Sequence, residues 1–246
     1  MTASSAVPPG SGLGTSASVV VALVAALRAL GGEREQHAAA IATAAHAIET
    51  TELGWQSGVQ DQLACAHGGA VHIAIADYPR TIVTPIRVPA TAWRALTDRL
   101  ITVYLGRPHT SSTVHDEVIA ALGATAGARL EPLRRAGAMA AGSLSMGDIE
   151  GWAEALTDAT EGQRALHPAL VSEAADAVWA TARGLGALGW KVNGAGGPGG
   201  TVTVLAGTGR DPAEVRAALD RPDHGWRVLD LRPTTSGLQV TTSSSG

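Results

Sequence analysis

The chain has 246 residues, 45% of them hydrophobic, 3% aromatic with no Phe, and 16% charged, with a formal net charge of −4. So high an apolar fraction excludes a disordered chain, glycines without a triplet period exclude collagen, and a single Cys excludes a disulfide framework or a multi-cysteine metal site. No Lys/Arg cluster offers a duplex footprint, no apolar run of about 18 residues can span a membrane, and the N-terminus lacks a signal-peptide pattern. The expectation is a cytoplasmic protein with no nucleic-acid or membrane partner.

In chain order, the first feature is a glycine-rich turn, Val7-Pro8-Pro9-Gly10-Ser11-Gly12-Leu13-Gly14-Thr15-Ser16-Ala17-Ser18. The apolar run Val19 to Leu30 follows and stops at Gly31-Gly32, which predicts a glycine loop feeding a buried helix. A second, Ala-rich helix is predicted over Arg34 to Glu49, a loop over Leu53 to Gly58, and a short helix through Asp61-Gln62-Leu63-Ala64. Residues 70–76, 81–88 and 101–105 read as strands, and 111–185 as mostly helical with breaks near Gly123, Ser145-Met146-Gly147 and His167-Pro168. Trp190-Lys191-Val192 then meets a second glycine cluster, Asn193-Gly194-Ala195-Gly196-Gly197-Pro198-Gly199-Gly200. A strand over 201–205, a helix over 212–219 and a strand over 226–231 complete an α+β pattern.

A glycine turn at a helix start presents backbone N–H groups at the positive end of the helix dipole and can hold phosphate without a lysine. Thr15 and Ser16 stand in the first helical turn, where a hydroxyl can cap the helix or reach a phosphate-bound Mg²⁺. A Walker A loop is excluded, because Gly14 precedes Thr15 rather than Lys. A dinucleotide fingerprint wants a preceding strand and an acidic residue closing a second strand; the chain offers a helix and then Glu33 and Glu35 at a turn, so a dehydrogenase is a distant reading. A tight turn that merely packs a helix is the plain alternative, weakened by the second glycine cluster.

Pro8 to Ala17 resembles the second signature motif of the GHMP kinases, and Asn193 to Gly200 resembles their third. Gly58-Val59-Gln60-Asp61-Gln62 with Gly68-Gly69 looks like the sugar-kinase branch, of the heptose 7-phosphate kinase and fucokinase type. Gly106-Arg107-Pro108-His109-Thr110-Ser111-Ser112 and Val114-His115 are similar to that subgroup as well. The resemblance runs from Val7 to about Ala206. It implies a two-lobed α+β fold, with an N-terminal half like domain 2 of ribosomal protein S5 over residues 1–90 and a ferredoxin-like C-terminal half over residues 91–246.

The resemblance also implies a function: transfer of phosphate from ATP, with Mg²⁺, to a hydroxyl or anomeric hydroxyl of a sugar or sugar phosphate such as a heptose 7-phosphate or a fucose-like sugar. Pro9, Gly10, Ser11, Gly12, Leu13, Gly14, Thr15 and Ser16 would bind the nucleotide, with Gly194, Ala195, Gly196 and Gly197 closing over phosphates and substrate. Ser16 and Glu49 would hold Mg²⁺, which takes few protein carboxylates. Asp61 would be the general base or the carboxylate that orients the sugar hydroxyl. A homodimer is an assembly this family allows.

Each assignment has a plainer competitor. Glu52 competes with Glu49, and either can be a solvated helix-end acid. Gln60 and Gln62 can bond substrate hydroxyls or simply pack. Arg107, His109, Ser111 and Ser112 can receive a sugar phosphate or form a polar loop. The pairs His67/His72 and His109/His115 read as structural, Cys65 as an inert core thiol, and Trp152, Trp179 and Trp190 as core filling.

Two departures stand out. The segment that carries the family's first motif would lie ahead of Val7, so the expectation is a mis-called start codon or a shortened gene, with an exposed sheet edge as the physical consequence. Pro198 stands where the family commonly has Gly, stiffening that loop and removing one N–H donor. A catalytically incomplete remnant or binding module is therefore the alternative to an active kinase.

Overall fold

The computed structural model describes residues 2–33, 35–108, 118 and 126–241. They divide into two compact units, one formed by Met1–Ser5, Gly14–Ile86 and Thr234–Gly246, the other by Ala6–Leu13 and Arg87–Pro233. The expected motif segment from Thr110 to His115, with His109, lies outside the described residues.

In the first unit, α1 (Thr15–Leu30) starts on Gly14, whose left-handed φ of 68° turns the chain into the helix without Cβ strain. Its buried face is Ala17, Val21, Val24 and Ala25, the spacing of one helical stripe. Small side chains let α2 (Ala38–Ala47) and α3 (Gln60–His67) pack closely on it through Ile41, Ala42, Ala45, Leu63 and Ala66. The predicted second helix is shorter than expected at both ends: it begins at Ala38 and passes at Ile48 into a π-helical turn, Ile48–Glu52. One turn of wider winding shifts the side chains after Ala47 around the axis, and it is this turn that carries Glu49. Strands β1 (Val71–Asp77) and β2 (Arg80–Pro85) form an antiparallel pair in which Ile73 faces Val83 and packs on the same core. Residues 234–238 return to this unit: Gly69 N–H donates to the Thr234 carbonyl at 3.1 Å and Leu238 N–H to the Ala66 carbonyl at 3.1 Å.

The second unit is built on an antiparallel sheet of order β4-β5-β3-β6, with β3 Leu100–Tyr104, β4 Gly189–Val192, β5 Thr201–Leu205 and β6 Arg227–Leu229. Helices α4 (Ala90–Arg99), α5 (Ala126–Met146), α6 (Ile149–Leu166), α7 (Glu173–Gly184) and α8 (Pro212–Leu219) complete it. The sheet core joins Ile101, Val103, Val192, Val202 and Val204 to Val178, Val215 and Trp190. Trp190 is 1% exposed and stacks on Trp179 at 5.6 Å between ring centroids, so these two indoles fill core, as the sequence implied. Helix α6 lies very close to β4, since a Cβ on Gly189 would overlap the Ala153 carbonyl. Hydroxyls finish that seam: Thr160 donates to the Trp190 carbonyl at 3.2 Å and accepts from Val192 N–H at 3.3 Å.

Candidate active site

In the first unit the acidic residues converge. Glu49 is 2% exposed on its π-helical turn, and three neutral donors surround its carboxylate. Ser16 Oγ donates to Oε1 at 3.1 Å, Ser57 Oγ to Oε2 at 2.7 Å, and Gln62 Nε2 to Oε2 at 2.6 Å. Among the described residues no Lys, Arg or His forms an ion pair with it. A buried carboxylate held only by neutral groups is a strong attractor for a cation. Glu52, its competitor, is exposed, and none of these three donors bonds to it.

Asp61 occupies the first turn of α3, and a Cβ on Gly14 would stand 3.3 Å from its Cγ, so the start of α1 lies against it. Solvent reaches Asp61, yet partial burial, and then the Glu49 charge, push its carboxyl above the usual aspartate range. Burial, then Asp61 and Glu49, likewise raise the Cys65 thiol one turn further on, which keeps it protonated and unreactive. Helix α1 has no side-chain cap and no acidic residue in its own first turn, so the positive end of its dipole is not neutralised from within the helix.

Of the two glutamines flanking Asp61, Gln62 is fully buried and serves Glu49, whereas Gln60 is exposed. Ser57 is a member of the cluster that the sequence reading missed; its place directly before Gly58 gave no local signal. The Ser57 carbonyl is held in turn by Tyr78 Oη at 2.9 Å, and His46 Nε2 contacts Tyr78 Oη at 2.8 Å.

In the second unit the two glycine motifs meet backbone to backbone. A Cβ on Gly12 would stand 3.1 Å from the Asn193 carbonyl oxygen, and one on Gly194 would stand 2.9 Å from the Gly12 carbonyl oxygen. Both glycines have left-handed φ, 75° and 59°. Thr201 Oγ1 donates to the Ser11 carbonyl at 2.8 Å across 190 positions, and Asn193 Nδ2 donates to the Thr201 and Thr203 hydroxyls at 2.9 and 2.8 Å. Ser11 and Thr201 are buried. The third glycine stretch is anchored at its far side, where Gly197 N–H donates to the Leu170 carbonyl and Gly200 N–H to the Arg107 carbonyl, both at 3.0 Å. A Cβ on Gly196 would overlap the Leu170 carbonyl. Arg107 thus meets the loop through its backbone while its side chain is exposed. Pro198 is exposed on the same turn, and Ala195 lies beside Gly194 in the loop.

The structure therefore brings Ser16 to Glu49, Gly14 to Asp61, and Gly12 to Gly194. Pro9, Gly10 and Leu13 lie along the first loop and Thr15 opens α1. His67 and His72 belong to no group of three or more His, Cys, Asp or Glu able to hold a metal among the described residues. Mg²⁺ asks for less. Neighbouring oxygens in an octahedral Mg²⁺ shell stand about 3 Å apart, which the Glu49 Oε1 to Ser16 Oγ separation of 3.1 Å matches, so this pair fits the ion.

Residues 1–69 match the family model for the GHMP kinases N terminal domain. The chain resembles these kinases in sequence there and has their fold through most of its length: it is similar to phosphomevalonate kinase of Streptococcus pneumoniae, solved with phosphomevalonate and AMPPNP, at a TM-score of 0.74 and 18% identity over 90% of this chain and 68% of that one. A D-glycero-D-manno-heptose 1-phosphate kinase from Bacteroides thetaiotaomicron matches at a TM-score of 0.70 and 23% identity over 96% of this chain and 66% of that one. In sequence the chain is similar to D-glycero-alpha-D-manno-heptose 7-phosphate kinase of Campylobacter jejuni, 40% identical over 86 residues, which are 33% of this chain and 24% of the relative. The aligned stretch thus spans about a quarter of that curated relative's length. No helix among the described residues is long and apolar enough to cross a membrane.

Proposed function

We propose that this protein is an ATP-dependent, GHMP-type kinase that phosphorylates a hydroxyl of a sugar or sugar phosphate, with heptose phosphates as the leading acceptor class. The observation that carries the reading is the buried Glu49 carboxylate, held by Ser16, Ser57 and Gln62, with the raised Asp61 carboxyl beside it. Mg·ATP, when bound, supplies the phosphoryl group and the neutralising charge. Ser16 and Glu49 are the residues that would hold the ion. The backbone N–H groups of Gly10 to Gly14 and those of Gly194 and Ala195 would receive phosphate oxygens, while Gly196 and Gly197 already donate within the protein.

Asp61 has the properties of a proton acceptor. Its affinity for a proton is raised, it is open to solvent on one side, and among the described residues no Lys or Arg pairs with it to hold it ionised. The acceptor hydroxyl would give its proton to Asp61 as its oxygen bonds to phosphorus. Phosphoryl transfer otherwise needs little covalent help from a protein, so position and charge dominate. The heptose phosphate acceptor is supported by the likeness to the Campylobacter jejuni relative, and the fucose-like acceptor by the sequence resemblance alone.

The test is a coupled ADP-release assay with Mg·ATP over a panel of heptose phosphates, hexoses and 6-deoxyhexoses. The reading expects turnover with one acceptor group and none with Asp61→Ala. ADP release that is independent of every acceptor, or undiminished in Asp61→Ala, overturns it.

A further inference from the structure

Lys191 is the sole lysine of the chain. It lies on β4, two residues before the Asn193-Gly194-Ala195-Gly196-Gly197 stretch, and its ammonium donates to Gln163 Oε1 and to the Val192 carbonyl. Gln163, on α6 and 8% exposed, donates its Nε2 to the Gly194 carbonyl at 2.9 Å. A glutamine amide has one acceptor end and one donor end, and its neighbours decide which way round it sits. An ammonium has donors only. It selects the amide oxygen and leaves the NH₂ for Gly194.

A carbonyl pinned in this way fixes more than itself. The peptide unit is planar and trans, so the Gly194 C=O and the Ala195 N–H point in opposite directions. Holding the carbonyl on α6 turns the Ala195 N–H away from α6. That N–H donates to no group among the described residues, whereas the following Gly196 and Gly197 amides are taken by the Asn193 and Leu170 carbonyls. The Ala195 N–H is thus held in reserve, as are those of Gly194 and Gly199 among the described residues.

Stability does not account for a cation at this position. Burial draws the Lys191 ammonium down to about 8, and among the described residues no carboxylate pairs with it. An apolar side chain of similar length would fill the same space without desolvating a charge.

We infer that Lys191, acting through Gln163, is a positioning residue that sets the Gly194–Ala195 peptide so that the Ala195 N–H is presented to an anionic oxygen of a phosphate group. The inference rests on the reading of this loop as a phosphate cradle. The relay and the reading can fail separately.

Two variants test it. Lys191→Met frees the amide to turn over. Gln163→Glu keeps an acceptor for Lys191 and preserves packing, but removes the donor to Gly194. Hydrogen exchange of the segment 193–200 is measured alongside the affinity for Mg·ATP. Both variants are expected to exchange there about tenfold faster than the parent chain, with helix α7 unchanged, and to bind Mg·ATP about tenfold more weakly. The double variant is expected to be no worse than either single one, since both break the same chain of contacts. Parent-like exchange in Gln163→Glu overturns the relay, because a purely packing role for Lys191 survives that substitution. Should the parent chain bind no Mg·ATP while the exchange responds as expected, the phosphate reading falls and the relay stands.

Discussion

The carboxylate cluster of the first unit and the glycine clasp of the second are assembled by opposite means. Around Glu49, side chains from three parts of the chain converge on one buried charge, and the backbone only carries them. Around Gly12 and Gly194, the backbones themselves touch and the absence of side chains is the requirement. The first region depends on the donors around its charge to present that charge to a cation. The second is intolerant of a single added carbon.

That contrast can be broken most severely at Asp61. Asp61→Asn is expected to lower phosphoryl transfer about a thousandfold, read as kcat with saturating Mg·ATP. The same substitution should raise the melting temperature near neutral pH. A carboxyl whose folded pKa is raised burdens the fold above that pKa and has no effect below the usual aspartate range, so the gain should vanish in acid. A gain that persisted unchanged at low pH would assign it to something other than this proton.

The second region should respond sterically. Gly12→Ala places a methyl group at φ 75° against the Asn193 carbonyl and is expected to destabilise the protein by about 2 kcal/mol in a urea titration. Gly32, also left-handed at φ 93° but with nothing within 4 Å of its would-be Cβ, is the control that separates backbone strain from collision. A smaller effect is expected for Ser57→Ala. Loss of its bond to Glu49 should weaken the Mg²⁺ dependence of turnover about tenfold while leaving the melt nearly unchanged.

A further effect, read through pH, is on the lysine. Its folded pKa lies near 8, below the ordinary 10.5, so the folded chain holds fewer protons than the unfolded one between those values. Stability of the parent chain should therefore rise with pH over that interval. The advantage of Lys191→Met in a thermal melt should be full below pH 8 and gone above 10.5.

How much of this was legible in the sequence depends on how local the signal is. Strand β5 is read residue for residue from the alternating Thr201-Val202-Thr203-Val204-Leu205, and α8 from Asp211-Pro212, an N-cap followed by a helix-starting proline. Helix α4 went unread although its apolar and polar residues segregate to opposite faces; only Ala92 and Leu96 of them are buried, and the segment is polar on average. The change to π winding at Ile48 has no sequence mark, although it is what turns Glu49 inward. The residue types of the site were visible through the two glycine motifs and the Asp-Gln element. Their partners were not, since Ser57, Gln163 and Thr201 become relevant only through contacts that the fold creates. Lys191 had a signal of another kind: one lysine against 18 basic residues in all is a compositional oddity that periodicity does not register.

The return of residues 234–238 to the first unit has a consequence for the order in which the molecule is made. Gly69 and Ala66 find their partners in Thr234 and Leu238, and a Cβ on Gly68 would overlap Gly237. On a ribosome the helices around Ile41 emerge well before residues 234–238, so the last backbone bonds of their unit close only after the whole of the second unit's sheet has been made. The earlier-made segment of this unit is therefore completed by the later one, and the two units cannot mature strictly in chain order.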